Sequence, residues 1–345
     1  MTVIADNVTS LSQPDSFDEP TASVEVIETH ISWVFLTDRY AYKLKKPIRY
    51  DYLDFTTLAA RERNARDEVR LNRRLAPDVY LGVVPLNTAP SGKVCVRGSG
   101  DITDWLVKMR RLPGDRMLDV LIRNGRLQLA DLDGFADRLF HFYSHEHSIP
   151  WSGAEYLQRL RQDVARNENF FCRRAPEGDL PPDAFDACAW QCEYLDSAGE
   201  LLGQRAEAGR LIEAHGDLRP EHICLETPPV VIDCLEFDRQ LRILDPVHEI
   251  AYLALECERL GNDRVGNHLL DRYRKSTGDE FDASLVDFYK SYRGCLRARL
   301  ALAHLEDGVI NHAEKWRRQA RDYSALAIRH GANRAVGPNQ SRCDR

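Results

Sequence analysis

Residues 213–225, EAHGDLRPEHICL, set His215, Asp217, Arg219, Glu221 and His222 within eight positions, between apolar runs. Asp217 follows a glycine and stands shortly before Pro220, so the backbone is expected to be irregular there. A carboxylate held in such a loop can orient a hydroxyl or accept its proton. Sixteen residues on, Asp233 closes the apolar run Val230-Val231-Ile232. An acid at the end of a buried strand, facing a second acid, suits a hard cation.

Two further residues invite chemistry. The chain has eight lysines among its 47 basic residues, and three of them fall in the stretch KLKK. Alternate residues of a strand share a face, which puts Ala41, Lys43 and Lys45 on one side and Tyr42 and Leu44 on the other. Small Ala41 beside Lys43 leaves room for a flat group. The plain structural alternative is a solvated edge strand, which lysines often protect. Glu68 lies on a helical pattern with Ala65, Leu71 and Leu75 on or near its face. Burying a carboxylate there calls for a cation, and Lys43 is a candidate. The alternative is a surface glutamate paired with Arg61 or Asn72.

The elements that must position these groups follow from periodicity. Residues 1–22 are rich in Ser, Thr, Asp and Pro and read as a disordered tail, as do residues 331–345. Strand-like runs cover 24–28, 33–37 and 40–46. A helix follows, N-capped by Thr56 or Thr57, and then strands at 80–86, 93–97 and 104–112. After residue 112 the pattern turns helical. Leu132, Phe135, Ala136, Leu139 and Tyr143 share one face, and 247–260 and 281–330 also look helical. A strand is expected at 229–235.

Composition narrows the partners. A formal net charge of -7 argues against nucleic acid. No apolar run approaches the roughly 18 residues that span a bilayer, and, with no basic segment followed by an apolar one in the first residues, no secretory signal is expected. Nine scattered cysteines without a C-x-x-C pair read as reduced thiols, which makes the cytoplasm the expected compartment. His141 and His145 are four apart on a helix, but without H-E-x-x-H they read as surface histidines.

Taken in order, a strand lysine, a helix glutamate, a short connector, an H-G-D loop and an aspartate after a strand match the layout for phosphoryl transfer from ATP. The stretch YAYK sits where such enzymes carry V-A-I-K. The sequence resembles the aminoglycoside phosphotransferase family within the protein-kinase-like superfamily. More narrowly, it resembles a bacterial branch with ETHISWVFL and LDFTTL…LNRRLAPDVYLGVVPL segments. Some members of that branch carry a P-loop domain after the kinase-like one. This chain has no G-x-x-x-x-G-K-[ST] and is expected to lack that domain.

The resemblance covers roughly residues 23–330. It implies an α+β, two-lobed protein-kinase-like fold: a sheet-rich N-lobe with its hinge over 23–112, a larger helical C-lobe over 113–330, and ATP between them. Lys43 would hold the nucleotide's phosphates, oriented by Glu68. Met109, Arg110, Arg111 and Leu112 would form the hinge that holds adenine. Asp217 would be the catalytic aspartate and Asp233 a metal ligand. Asp245, in LDPVHEIA, matches a structural aspartate of the family's D-P-x-x-D-L-A motif, and Glu249 replaces that motif's second Asp. His215 and Arg219 would support the loop, and Arg219 is also a candidate for contacting a phosphate.

Three departures are visible. The loop Thr29–Ser32 has no glycine, so the Thr29 and Ser32 hydroxyls would have to stand in at the phosphates. His222 replaces the asparagine expected five residues after the catalytic aspartate. Imidazole suits softer metals than Mg²⁺. His222 is therefore open to several readings: a hydrogen bond to Asp217 or a phosphate, a ligand to a metal such as Mn²⁺, a one-metal site, an inactive site, or a structural histidine. Lastly, twelve positions separate Asp233 from Asp245, too few for a long activation segment. A small-molecule acceptor is expected rather than a protein, with ATP or GTP as donor and Mg²⁺ or Mn²⁺ as metal. The alternative is a nucleotide-binding pseudokinase that regulates or scaffolds. Neither the acceptor nor the oligomeric state can be read from these residues.

Overall fold

The computed structural model describes residues 2–50, 53–174, 178, 180–181, 184–305 and 313–332. It is a mixed α+β structure that divides into two compact units. The sheet unit comprises the chain up to Val120 with His215–Asp217 and Glu221–Arg242. The helical unit comprises Leu121–Ala214, Leu218–Pro220 and the chain from Ile243 onward.

The sheet unit starts with helix α1 (Thr2–Leu11), followed by β1 (Glu25–Glu28), β2 (Ser32–Leu36) and β3 (Tyr40–Lys45). A small hairpin, β4 (Arg49–Tyr50) and β5 (Leu53–Asp54), leads to α2 (Leu58–Asn72). Then come β6 (Tyr80–Thr88), β7 (Val94–Val96) and β8 (Asp101–Arg110). Six strands form an antiparallel sheet in the order β1-β2-β3-β8-β6-β7. β3 is therefore an interior strand, with Lys43 opposite Val34 on one side and Val107 on the other. This excludes the solvated-edge reading of the KLKK stretch, since every residue from Ala41 to Lys45 is buried.

Each face of β3 has its own cover. Ala41 packs with Ala65, Val69 and Met109 on the α2 side. Tyr42 and Leu44 pack with Leu11, Leu86 and Leu106 on the other. Leu11 belongs to α1, in the region expected to be a tail. Val8 and Leu11 lie three apart on one helical face, which gives the segment apolar area to bury despite its polar composition. The C-terminal tail expected at 331–345 falls mostly outside the described residues; Gly331 and Ala332 end a helix. Thr57 caps α2, its Oγ1 accepting from the Ala60 N–H at 3.1 Å.

The rest of the chain supplies α3 (Leu118–Arg123), α4 (Asp133–His145), α5 (Gly153–Arg174), α6 (Ala184–Ser197) and α7 (Gly199–Glu207). These are followed by β9 (Ile212–Glu213), β10 (Ile223–Cys224), β11 (Val230–Val231) and β12 (Ile243–Leu244), and then α8 (Pro246–Arg259), α9 (Arg264–Thr277), α10 (Ala283–Ala303) and α11 (Ala313–Ala332). The stripe predicted on α4 is buried from Leu132 to Tyr143. Helix α9, not anticipated from the sequence, buries Val265, Leu269, Leu270 and Tyr273. A core of Phe170, Phe171, Cys188, Cys295, Tyr323 and Ala327 joins α5, α6, α10 and α11. Gly294 lets α10 and α11 meet: a Cβ there would lie 2.8 Å from that of Ala327. No described helix is long and apolar enough to cross a membrane.

A buried clamp fixes α11. His330 Nδ1 lies 2.9 Å from Asp287 and Nε2 2.7 Å from Glu258, which also pairs with Lys290. Burial opposes the charge on His330, and the two carboxylates outweigh it, raising its pKa above the ordinary 6.5. Burial likewise opposes ionisation of Glu258, but His330 and Lys290 bring its pKa down to about 2. The histidine's contribution to stability is full below 6.5 and is lost as pH rises through its raised value. The glutamate's contribution is present above 4.5 and is lost as pH falls towards 2. In urea titrations, the stability difference between wild type and His330→Gln should be largest between those limits and shrink on the alkaline side. A difference that does not vary with pH would show that His330 carries no charge in the fold.

Candidate functional site

The site forms within the sheet unit, where β3 and α2 meet the segment after β11. Lys43 Nζ lies 2.9 Å from Glu68 Oε1 and 2.5 Å from Asp233 Oδ1. Glu68 is fully buried on α2, so the surface-glutamate reading fails. Arg61 is taken by Asp104 instead, at 2.8 Å. Asn72 uses its side-chain N–H₂ on the Glu68 backbone carbonyl and its oxygen on the Cys234 N–H.

Charge and burial compete at each group. Burial works against the Lys43 ammonium, but Asp233 and Glu68 outweigh it and hold it protonated. Burial would raise the Glu68 pKa, yet Lys43 and Lys45 bring it below the ordinary range. Asp233 behaves the same way, with Lys43 the main opposing charge. All three are therefore ionised, and Lys43 is a buried cation held between two carboxylates.

A strand was expected over 229–235, but β11 covers only Val230–Val231. Asp233 has φ +61, a left-handed conformation that aspartate tolerates better than most residues. The turn breaks the ladder, and its amides find new partners. Asp233 N–H donates to the Tyr80 hydroxyl at 3.0 Å, and Leu235 N–H donates to the His215 carbonyl.

The H-G-D turn is fixed from the same segment. Gly216 has φ +88, and a Cβ there would lie 3.0 Å from Arg242 Cγ and 3.2 Å from Leu235 Cβ. Any other residue would be strained and crowded. His215 Nε2 donates to the Ile232 carbonyl at 2.9 Å, and burial, with His222 nearby, lowers its pKa to about 3, so it is neutral. His222 Nδ1 lies 2.8 Å from the Asp217 carbonyl. A carbonyl only accepts, so Nδ1 carries a proton; in the neutral ring Nε2 would then hold the lone pair. That Nε2 lies 3.5 Å from Asp233 Oδ2. Asp217 Oδ2 is 3.9 Å from Nδ1, beyond hydrogen-bond range.

Among the described residues, no three His, Cys, Asp or Glu side chains cluster so as to hold an ion by themselves. Asp233, its side chain 41% exposed, and the His222 Nε2 atom do converge. A two-donor site that completes its shell with phosphate oxygens and water fits the habits of Mg²⁺ and Mn²⁺ in nucleotide sites.

The other expected residues are placed as follows. Thr29 Oγ1 donates to the Ser32 carbonyl and accepts from the Ser32 N–H, so it closes the β1–β2 turn. Ser32 is fully buried, opposite Lys45 in the β2–β3 register. The Ser32 side chain is thus buried, and the exposed Thr29 spends its hydroxyl on the local turn. Met109 is buried near the end of β8, opposite Ala41 and Tyr80. Arg110 and Arg111 give their amides to the Val79 and Arg39 carbonyls, and Leu112 follows beyond the strand. Arg219 lies in the short stretch that groups with the helical unit, and so does Asp245. Asp245 caps α8 through the Val247 N–H at 2.9 Å and pairs with Arg205. Glu249 is buried and accepts from the Tyr143 hydroxyl. His141 and His145 lie together on the exposed face of α4.

No protein-family model matches the chain. It is 31% identical over 298 residues to the uncharacterized protein Rv2004c of Mycobacterium tuberculosis, and equally to the uncharacterized protein Mb2027c of Mycobacterium bovis. The match takes in 84% of this chain but 57% of theirs, so the chain spans little more than half the length of these curated relatives. Solved structures decide the fold. Choline kinase LicA from Streptococcus pneumoniae matches with a TM-score of 0.54 at 14% identity, over 96% of this chain and 98% of its own. A choline/ethanolamine kinase family protein from Mesorhizobium loti matches at 0.51 and 17%, over 98% and 100%. Aminoglycoside phosphotransferase APH(4)-Ia matches at 0.50 and 11%, over 96% and 99%. The chain has the protein-kinase-like fold of aminoglycoside phosphotransferases and choline kinases.

Within this kinase-like fold, three residues at the site escaped the sequence reading of chemistry: Lys45, Tyr80 and Glu236. Asn72, named from the sequence as a neighbour of Glu68, does bond to it, through the backbone carbonyl. Nothing local marks Glu236, because the bend at Asp233 decides where it points.

Proposed function

We propose that this protein transfers a phosphoryl group from ATP to a hydroxyl of a small molecule. The reading rests on one observation above all: the buried lysine of β3 is shared between a helix glutamate and the aspartate that follows β11. That arrangement presents a fixed cation next to a carboxylate–imidazole pair. The cation would hold nucleotide phosphates, and Asp233 with His222 would hold Mg²⁺ or Mn²⁺, which offsets phosphate charge. Asp217 would align the acceptor hydroxyl. There is no sign here of covalent work by the protein, and catalysis would come from positioning and electrostatics. The short spacing from Asp233 to Asp245 supports a small acceptor over a protein.

Calorimetry with ATP, without metal and with Mg²⁺ or Mn²⁺ in turn, tests the reading. Binding should strengthen when metal is added, and the preference for Mn²⁺ should fall in His222→Asn, which trades imidazole for an oxygen donor. Metal-independent binding would favour a nucleotide-binding pseudokinase, a reading that the glycine-free Thr29–Ser32 loop and His222 motivate. Absence of binding would remove both.

A further inference from the structure

A second buried lysine stands beside the first. Lys45 shares a face of β3 with Lys43 and contacts both Glu68 Oε2 and Glu236 Oε1. Glu68 therefore uses one oxygen on each lysine. Five groups of alternating sign result, in the order Asp233, Lys43, Glu68, Lys45 and Glu236.

The ladder has an outer and an inner end. The Asp233 side chain is 41% exposed, whereas those of Lys45, Glu68 and Glu236 are 1%, 0% and 4% exposed. A ligand can reach Asp233, and through it Lys43, but not the inner three. If Asp233 turns to a metal and Lys43 to phosphate, Glu68 loses part of its compensation at a position fully shielded from solvent. An uncompensated buried carboxylate is costly, and it would draw Lys43 back. Lys45 removes that conflict, because it stays on Glu68 whatever Lys43 does. Glu236 in turn neutralises Lys45 and ties the chain three residues past Asp233 to the same strand.

We infer that Lys45 and Glu236 are positioning residues that keep Glu68 compensated, so that Lys43 can pass from Asp233 to the phosphates when metal and nucleotide bind. This rests on the phosphotransfer reading above. It assigns work to a pair that touches neither ligand.

Lys45→Met alone would leave Glu68 and Glu236 short of a cation and would report mainly folding. The Lys45→Met/Glu236→Leu double variant removes both charges and keeps apolar volume, a replacement that buried pairs often tolerate. The measurement is ATP affinity by calorimetry with and without Mn²⁺, with thermal unfolding followed alongside. Supporting groups around a metal typically matter by roughly 10–100-fold in affinity. A native-like melting temperature, with the gain in ATP affinity from Mn²⁺ cut by about that factor, is the expected result. Lys45→Arg should retain most of the gain. A double variant that melts like wild type and keeps the full gain overturns the inference and leaves the phosphotransfer reading standing. Wild type that binds no ATP overturns both. If the double variant does not fold, Lys45→Gln/Glu236→Gln reads the same quantity with both charges removed and polar groups kept, and an undiminished gain there overturns the inference.

Discussion

Arg205→Met should lower the free energy of unfolding by roughly 3–5 kcal/mol, the range for removing one member of a buried ion-paired group. Arg205 is 6% exposed and bridges two carboxylates that are almost fully buried, Asp245 and Asp279. Its Nη2 lies 2.9 Å from Asp245 Oδ1, and Nη1 and Nη2 lie 3.0 and 2.8 Å from the two oxygens of Asp279. Methionine matches the volume but leaves Asp245 without its cation and Asp279 with only the half-exposed Arg210, 3.6 Å away. The Tyr289 and Tyr273 hydroxyls, each 3.3 Å from one of them, offer neutral hydrogen bonds and no compensating charge. Chemical denaturation followed by circular dichroism measures the loss. Adding Asp279→Asn to Arg205→Met should recover part of it, because the second change removes one of the stranded charges. A loss below about 1 kcal/mol in the single variant would mean that water reaches the carboxylates. The same group reaches the site through the chain. Asp245 caps α8 directly after β12, and β12 pairs with β9, two residues before His215.

Lys43 and Glu68 were legible in the sequence because each sits on a strong period. A strand alternates, and a helix face repeats at three and four, so a charged residue inside an apolar stripe stands out. What those periods do not carry is depth. Lys45 is on the same face as Lys43 by the same rule, yet only the six-strand order, with β3 inside, makes it buried and forces it to find two carboxylates. Glu236 was hidden for another reason. An apolar run of 229–235 reads as one strand, and the left-handed turn at Asp233 is set by Tyr80 and Asn72, which lie more than 150 residues earlier. The first helix was obscured by composition: Ser, Thr, Asp and Pro dominate residues 1–22, although Val8 and Leu11 share a face. Thr29 shows a limit of the opposite kind. Its hydroxyl was expected at the phosphates on residue type alone, and the turn it closes uses that hydroxyl locally, a common fate for threonine next to a tight turn.

Asp217→Asn should reduce phosphoryl transfer by roughly 10²–10⁴-fold, the usual weight of a positioned acid or base, while leaving ATP affinity nearly unchanged. Asparagine has the same shape, and the substitution leaves the backbone contacts of the loop in place. The Asp217 contact with His222 Nδ1 runs through the backbone carbonyl at 2.8 Å, which the substitution retains. Gly216 and His215 hold the turn from the other side through Leu235 and Ile232. A fall in turnover with native affinity and native melting therefore isolates the side-chain oxygen that would align the acceptor. Single-turnover assays against a panel of small alcohols, amino alcohols and aminoglycosides read the effect, with ATP hydrolysis followed in parallel. If variant and wild type show the same background with every acceptor while both bind ATP, Asp217 does no chemistry. Lys43, Glu68 and Asp233 would then form a nucleotide sensor, and the imidazole of His222 would mark where a transferase site gave way to a binding one.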